Sequence, residues 1–386
     1  MYFRYMAIGL LIWSCGSNEA TNDPISSDSN QHFEIVFESP EQLNQLLKDS
    51  LIYGTDCEVV ATSIGNKTAL QITTTSEFSD AFVDLQQLFG YPINFAEAKY
   101  LSVHLYVPKE SWISTLKFNF RDSSGNFGGF QEIFNNFYDH TDQWINMVVD
   151  LDEVRPDFQN WSGDRSPLPY TTLLTFNPYN AHQAAHSSIY IHSLTLSAEK
   201  PEGDFLPRLA ISATSDTNVP YEINFDDEQL LRQHTAFRSF ESSFQALAKG
   251  VADNPTMAIR IKGNDENKHI AFLPILDKTT GQAVDFTQVE EIYFPYYLTP
   301  ESDDFDGSLL YLTSEHWDDI LLDTTFYSDY QKGSWEEVVI KMNDLNLVRV
   351  KGENPVLPNV YELRLDINYF PERKNIEMWI DDFGWR

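Results

Sequence analysis

The sequence predicts an all-β protein made of two tandem antiparallel β-sandwiches of jelly-roll type. Three observations carry that prediction. The first is a repeat. Phe33-Glu34-Ile35-Val36-Phe37 returns as Tyr221-Glu222-Ile223-Asn224-Phe225, 188 positions later. Ala69-Leu70-Gln71-Ile72 returns as Ala258-Ile259-Arg260-Ile261 after 189 positions, and Trp144 with Val148-Val149 as Trp335 with Val339-Ile340 after 191. Ile189-Tyr190-Ile191 matches Met378-Trp379-Ile380, again after 189. The second is that both stretches consist of short apolar-alternating runs separated by Asn, Asp, Gly, Pro and Ser, which is how half-buried strands read. The third is that helical signals are few and short. A repeat this long is no solenoid unit, so each copy is expected to own its core.

Taken in order, the first residues read as an export signal. Arg4 supplies a positive charge and Met6 to Trp13 form an apolar run. That run is short of the roughly 20 apolar residues a bilayer span needs. Ile12-Trp13-Ser14-Cys15 resembles a bacterial lipobox, which makes Cys15 the lipidation site and residues 1–15 the signal peptide. Residues 16–31 are rich in Ser, Asn and Asp and read as a flexible tether. The alternative is a plain secretory leader. Module one is expected over 32–199, a linker over 200–217 and module two over 218–386.

Within the copies, Leu101 to Val107 and Leu116 to Phe120 alternate cleanly. So does Glu362 to Asn368, where Leu363, Leu365 and Ile367 face a core and Arg364, Asp366 and Asn368 share the other side. Ser39-Pro40-Glu41 and Asp226-Asp227-Glu228 each predict a cap and a turn or two of helix. Gly125 to Phe130 reads as a mobile loop presenting rings. It is no phosphate loop, since no Lys-Ser/Thr follows. Trp144, Trp335, Tyr190 and Trp379 recur between the copies and read as core elements.

The formal charge is −32, from 58 acidic and 26 basic residues. Such a chain repels nucleic acid and anionic lipid. It should also disfavour polyanionic glycans, unless a local basic pocket or a bridging cation compensates. Once Cys15 is set aside, Cys57 is the other cysteine of the sequence, so no internal disulfide and no cysteine metal cluster is expected.

The order of these landmarks resembles the galactose-binding-like jelly-roll carbohydrate-binding modules. The opening strands end in carboxylates (Glu38; Asp226, Asp227), a tryptophan enters a late strand (Trp144; Trp335), and the chain closes on Met378-Trp379-Ile380-Asp381-Asp382. Copy one departs from this with His192-Ser193. The resemblance implies glycan binding without catalysis. With a lipid anchor, the chain also resembles the surface glycan-binding lipoproteins of Bacteroidota polysaccharide-uptake systems. That implies an outer-membrane, cell-surface location beside a glycan transporter. The resemblance further puts the opening carboxylates of copy two beside its closing strand, where Asp226, Asp227 and Asp381 could supply hard oxygen ligands to a structural calcium; the alternative is simple surface acidity.

Candidate binding residues are rings and hydroxyl-gripping polar groups. If Ile292, Phe294, Tyr296 and Leu298 point inward, Tyr293 and Tyr297 point outward. Should their strand neighbour 362–368, they share a face with Arg364, Asp366 and Asn368. Flat rings stack on sugar C–H faces, and such polar groups grip vicinal hydroxyls. The matching positions in copy one are His104, Tyr106, Asn119, Arg121, Thr175 and Asn177. Unmatched rings in expected loops add Trp112, Phe127, Phe130 and Trp161, with Trp317, Tyr327 and Tyr330 in copy two. For the sheet faces the alternative is an ordinary solvated wall, which any sandwich has.

Sequence signals for an enzyme are weak. No Glu-x-Asp-x-x-Glu strand, zinc-protease helix or Gly-x-Ser-x-Gly elbow occurs. The expected function is non-catalytic polysaccharide binding at the cell surface. The alternatives are a divergent polysaccharide lyase or glycosidase on the same fold, and a structural or adhesion lipoprotein without a sugar site.

Overall fold

The computed structural model describes residues 33–386 except 75–78, 131–139, 156–157, 181, 183–185, 203–220, 229–230, 232–243, 245, 263–268, 273–284, 304–308, 315–318, 323–329, 345–346, 352–355 and 367–374. The leader with Cys15, most of the expected linker, Trp317, Tyr327, Ile367 and Asn368 lie outside the described residues.

Copy one contributes β1 (Phe33–Val36), α1 (Pro40–Lys48), β2 (Ile52–Thr55), β3 (Cys57–Ile64), β4 (Lys67–Thr74), β5 (Asp80–Asp84), α2 (Leu85–Phe89) and β6 (Tyr100–Tyr106). It continues with β7 (Ile113–Asp122), β8 (Phe127–Phe130), β9 (Trp144–Asp150), α3 (Leu151–Val154), β10 (Phe158–Ser162), β11 (Thr171–Asn180) and β12 (Ser187–Ser197). Copy two contributes β13 (Tyr221–Ile223), β14 (Ala246–Lys249), β15 (Met257–Lys262), β16 (His269–Phe272), β17 (Glu291–Leu298) and β18 (Leu309–Ser314). It ends with β19 (Asp319–Leu322), β20 (Trp335–Lys341), β21 (Leu347–Lys351), β22 (Val360–Asp366), β23 (Glu377–Ile380) and β24 (Phe383–Trp385).

The duplication is visible in the strand order. The first sheet of copy one runs β3-β4-β12-β6-β9, and copy two repeats it as β14-β15-β23-β17-β20. The second sheet runs β10-β8-β7-β11-β5, with β2 beyond, and copy two repeats it as β21-β19-β18-β22-β16. β1 and β13 open each copy against its closing strand, β12 or β24. Where copy one closes on one strand of 11 residues, copy two breaks at Asp381-Asp382 into β23 and β24.

Alternation explains the strands. On β6, Leu101, Val103 and Leu105 are fully buried while His104 and Tyr106 are half-exposed. On β17, Ile292, Phe294, Tyr296 and Leu298 face the core and Tyr293 and Tyr297 face out, as expected. Leu363 and Leu365 are buried in the second copy. Ser39 caps α1, its hydroxyl accepting from the Gln42 N–H at 3.1 Å, with Pro40 in the first turn.

Three expectations are corrected here. Gly125 to Phe130 is not a loop: Phe127–Phe130 is β8, joined to β7 through a turn at Asp122 to Asn126. Phe130 is a core ring. Trp161 lies on strand β10. Trp112 presents nothing to solvent. It is buried among Phe244 (centroids 5.4 Å apart) and His182 (5.3 Å) and belongs to the core cluster of copy two. A parallel bridge between His182 and Phe244 joins the copies at the same place. Lack of a repeat partner marked Trp112 as a ligand ring, but an interface between copies is also unmatched by construction.

Candidate functional site

The proposed pairing of Tyr293 and Tyr297 with Arg364 and Asp366 does not form. β17 belongs to the first sheet of copy two and β22 to the second. The two outward walls look away from each other across a core layer about 10 Å thick. Copy one separates its positions in the same way: His104 and Tyr106 lie on the first sheet, whereas Asn119, Arg121, Thr175 and Asn177 lie on the second. Alternation tells inside from outside, but it does not say which sheet a strand joins.

The second sheet of copy one carries the better-built site. Phe118, Phe120, Leu174, Phe176, Ala81 and Val83 face the core, so Lys117, Asn119, Arg121, Thr175, Asn177, Asp80 and Phe82 face outward. One line of cross-strand partners crosses all six strands: Gln159, Gly129, Asn119, Thr175, Phe82 and Tyr53. Rings stand at both ends of that line and polar groups in the middle. At one end Phe82 and Tyr53 stack, centroids 4.8 Å apart and 16° from parallel. At the other, the Trp161 ring lies directly over Gly129, where any Cβ would come within 2.6 Å of it. The glycine pair is therefore a seat for two rings, since a Cβ on Gly128 would strike Phe158 on the core side at 2.7 Å. Phe127 meets Trp161 edge-on at 5.1 Å, and the Arg121 guanidinium lies 5.1 Å from the Phe127 ring centre.

The floor is recessed. Lys117, Asn119 and Thr175 point outward, yet each is buried. Asn119 is 8 % exposed and its side-chain carbonyl oxygen meets no donor. A buried acceptor without a partner costs about 1–3 kcal/mol, so it is an unmet demand for an incoming N–H or O–H. Asn177 donates to Asp80 Oδ1 (3.0 Å) and to the Ser79 carbonyl (3.1 Å). Burial pushes the Asp80 carboxyl up and Asp56 adds to this, while Asn177 and Arg121 oppose it. Asp84, farther along β5, caps α2 by accepting from Gln87. Both floor-side carboxylates are thus engaged in structural hydrogen bonds.

Copy two has a related but different wall. Tyr311 and Thr313 on β18 face outward and are buried, and the Arg364 guanidinium lies 4.2 Å from the Tyr311 ring centre. Asp366 ends β22.

On the first sheets, Tyr106, Tyr293 and Tyr297 are all outward and half-exposed. Tyr106 sits beside Trp144 and Tyr297 beside Trp335 and Trp379, whereas Tyr293 lies under the Arg386 guanidinium, 5.2 Å from its ring centre; none of the three meets Arg364. Trp144, Trp335, Tyr190 and Trp379 are half-exposed on the outward wall, not core rings. Recurrence between copies reported a preserved position, and the position is external. The Tyr106 hydroxyl donates to Asp142 at 3.1 Å and that of Tyr293 to Glu222 at 3.3 Å. Burial and then these carboxylates push both phenols up.

Among the described residues no group of three His, Cys, Asp or Glu side chains converges to hold a metal. Asp226 accepts from the Met257 N–H at 2.9 Å. Asp381 accepts from Asn254 at 2.7 Å and from Thr256 through one oxygen, while its other oxygen is buried without a donor. Asp227 follows in an exposed turn. Burial, and then Asp381, Glu222 and Asp226, push Asp382 up to about 7 against a hydrogen bond from the Phe225 N–H. Cys57 is half-buried and its thiol donates to the Asp80 carbonyl at 3.3 Å.

No family model matches the chain, and no curated protein matches it. Solved structures do. The tandem CBM22-1–CBM22-2 domain of Paenibacillus barcinonensis Xyn10C is 14 % identical, with a TM-score of 0.27, over 91 % of this chain and 95 % of that one. A β-1,2-glucanase from Parabacteroides distasonis is 8 % identical over 75 % of this chain and 36 % of its own, with a TM-score of 0.26. A Paenibacillus xanthan lyase is 9 % identical over 86 % and 25 %, with a TM-score of 0.21. The superpositions are too loose to bear on any site.

Proposed function

We propose that the protein binds polysaccharide without cleaving it, and that the recessed wall of the second sheet in copy one is its principal site. The observation that carries this is the line from Trp161 to Tyr53: rings at both ends, and between them a buried Asn119 oxygen awaiting a donor. A sugar ring meets that pattern with C–H faces for the rings and hydroxyls for the middle. A neutral polymer fits best, because the chain carries a formal charge of −32. The engaged carboxylates Asp80 and Asp84 favour binding over hydrolysis, which commonly uses two free carboxyl groups across a cleft.

The leader adds a membrane anchor through Cys15, an outer-membrane surface location and a glycan transporter as neighbour. Calcium at the opening of copy two is a separate proposal. The unpartnered Asp381 oxygen supports it, and a melting temperature that falls on adding a chelator is the expected sign. The binding reading is tested by screening the chain on a glycan array, with reducing-end assays on every hit. Retention without product release is the expected result. Product release would instead favour a lyase or glycosidase.

A further inference from the structure

The first sheets of both copies hold a repeated feature that the recessed wall does not use. In copy one, Trp144, Tyr106 and Tyr190 are direct cross-strand partners across β9, β6 and β12. In copy two, Trp335, Tyr297 and Trp379 are direct partners across β20, β17 and β23. All six rings are half-exposed. In copy one the centroids are 5.7 Å and 5.9 Å apart along the row, and Tyr297 to Trp335 is 5.8 Å. Trp335 spends its ring N–H on the Val251 carbonyl at 2.9 Å, so what it presents outward is apolar ring.

One cross-strand aromatic pair is adequately explained by sheet stability, worth roughly 0.2–1 kcal/mol. Two rows of three, at the same strand positions of two otherwise diverged outward walls, ask for more. The surroundings decide what kind of ligand fits. A protein-binding patch has an apolar centre depleted in charge. Here polar groups stand among the rings. Lys67 lies 5.3 Å from the Trp144 ring centre and 3.0 Å from His104 Nε2. Arg260 lies 5.6 Å from the Trp379 ring centre, and Lys262 is 3.1 Å from Glu377. Rings edged by hydrogen-bonding groups, on an open sheet, suit a hydroxylated chain laid across the strands.

We infer that each copy carries a second saccharide platform on its first sheet, formed by the rows Trp144–Tyr106–Tyr190 and Trp335–Tyr297–Trp379, which takes a neutral polysaccharide chain. This rests on the glycan-binding reading above. Two platforms on one chain would engage one polymer together and raise avidity over either alone.

The test uses the full chain and whichever neutral polysaccharides it retains in affinity electrophoresis. Four variants are compared: Trp144→Ala/Trp335→Ala, Trp144→Phe/Trp335→Phe, Asn119→Ala/Trp161→Ala and the first combined with the third, each checked for an unaltered circular dichroism spectrum. The alanine row variant is expected to lose about tenfold or more in affinity, as loss of avidity predicts. The phenylalanine variant should stay near wild type, since a ring remains. The Asn119/Trp161 variant should keep residual binding that adding the alanine row changes removes. Wild-type affinity in the alanine row variant overturns the platform and leaves the recessed wall standing. Complete loss in the Asn119/Trp161 variant overturns the row as an independent platform. If the wild type retains no polysaccharide at all, both readings fall together.

Discussion

Single residues show how burial and a few aimed hydrogen bonds together fix local chemistry. Asp122, in the β7–β8 turn, is buried, which alone pushes its carboxyl up. Hydrogen bonds from the Asn126 side chain (2.6 Å), the Asn126 N–H (2.9 Å) and the Ser124 N–H (2.8 Å), with Arg165 at 3.4 Å, outweigh burial and hold it below the ordinary range. A folded-state value below the unfolded one gives stability that is present above about pH 4 and is lost as pH falls through the folded value. Asp122→Ala is therefore expected to cost about 1–3 kcal/mol at pH 7. It should also flatten the fall in melting temperature between pH 5 and pH 3, and thermal melts across that range check both. Cys57 gives a second prediction. Burial first, then Asp80, push its thiol up to about 11 against a hydrogen bond from the Thr55 backbone. Only a thiolate is alkylated readily, so iodoacetamide at pH 8 should label the Cys57 peptide ~100-fold more slowly than an ordinary cysteine. Peptide mass mapping reads this directly, and ordinary labelling speed would mean the thiol is not held as described.

At the scale of elements, the sequence exposed alternation well and sheet membership poorly. Leu363, Leu365 and the inward half of β17 face the core as expected. Yet Tyr297 and Arg364 went to opposite walls, because a period of two carries no information about strand partners. Arg121, Asn119 and Trp161 could each be named from the sequence, but the seat that joins them could not. It depends on β8 pairing with both β7 and β10. Tyr53 and Phe82 were missed, although Phe82 stands between the core residues Ala81 and Val83 and was open to the same alternation argument. Recurrence misled in one direction for Trp144 and Trp379, and its absence misled in the other for Trp112. The Gly129 seat makes a sharp prediction. A Cβ there would lie 2.6 Å from both Asn119 Oδ1 and the Trp161 ring, and 2.8 Å from the Phe118 carbonyl. Since the carbonyl cannot rotate aside, Gly129→Ala should cost about 1–3 kcal/mol. It should also shift tryptophan fluorescence as Trp161 is displaced. Unchanged melting and emission would show that the ring does not rest there.

For the whole molecule, the duplication left two sandwiches with matching strand order and unlike second walls. Copy one kept a ring-ended polar floor, whereas copy two placed Arg364 over Tyr311. Between them, Trp112 reaches out of copy one into the core cluster of copy two. Its removal leaves a void shared by both copies. Trp112→Ala should cost about 3–5 kcal/mol and separate a lower-melting copy two from copy one in calorimetry. A thermogram identical to wild type would mean the copies do not share that core. Among the described residues no helix is long and apolar enough to cross a membrane.

The most direct measurement is isothermal titration of array-selected neutral polysaccharide into wild type and into Asn119→Ala/Trp161→Ala, both folded. Binding by the wild type, weakened about tenfold or more in the variant, is the predicted result. Equal affinity in the two proteins would contradict the recessed wall as the principal site.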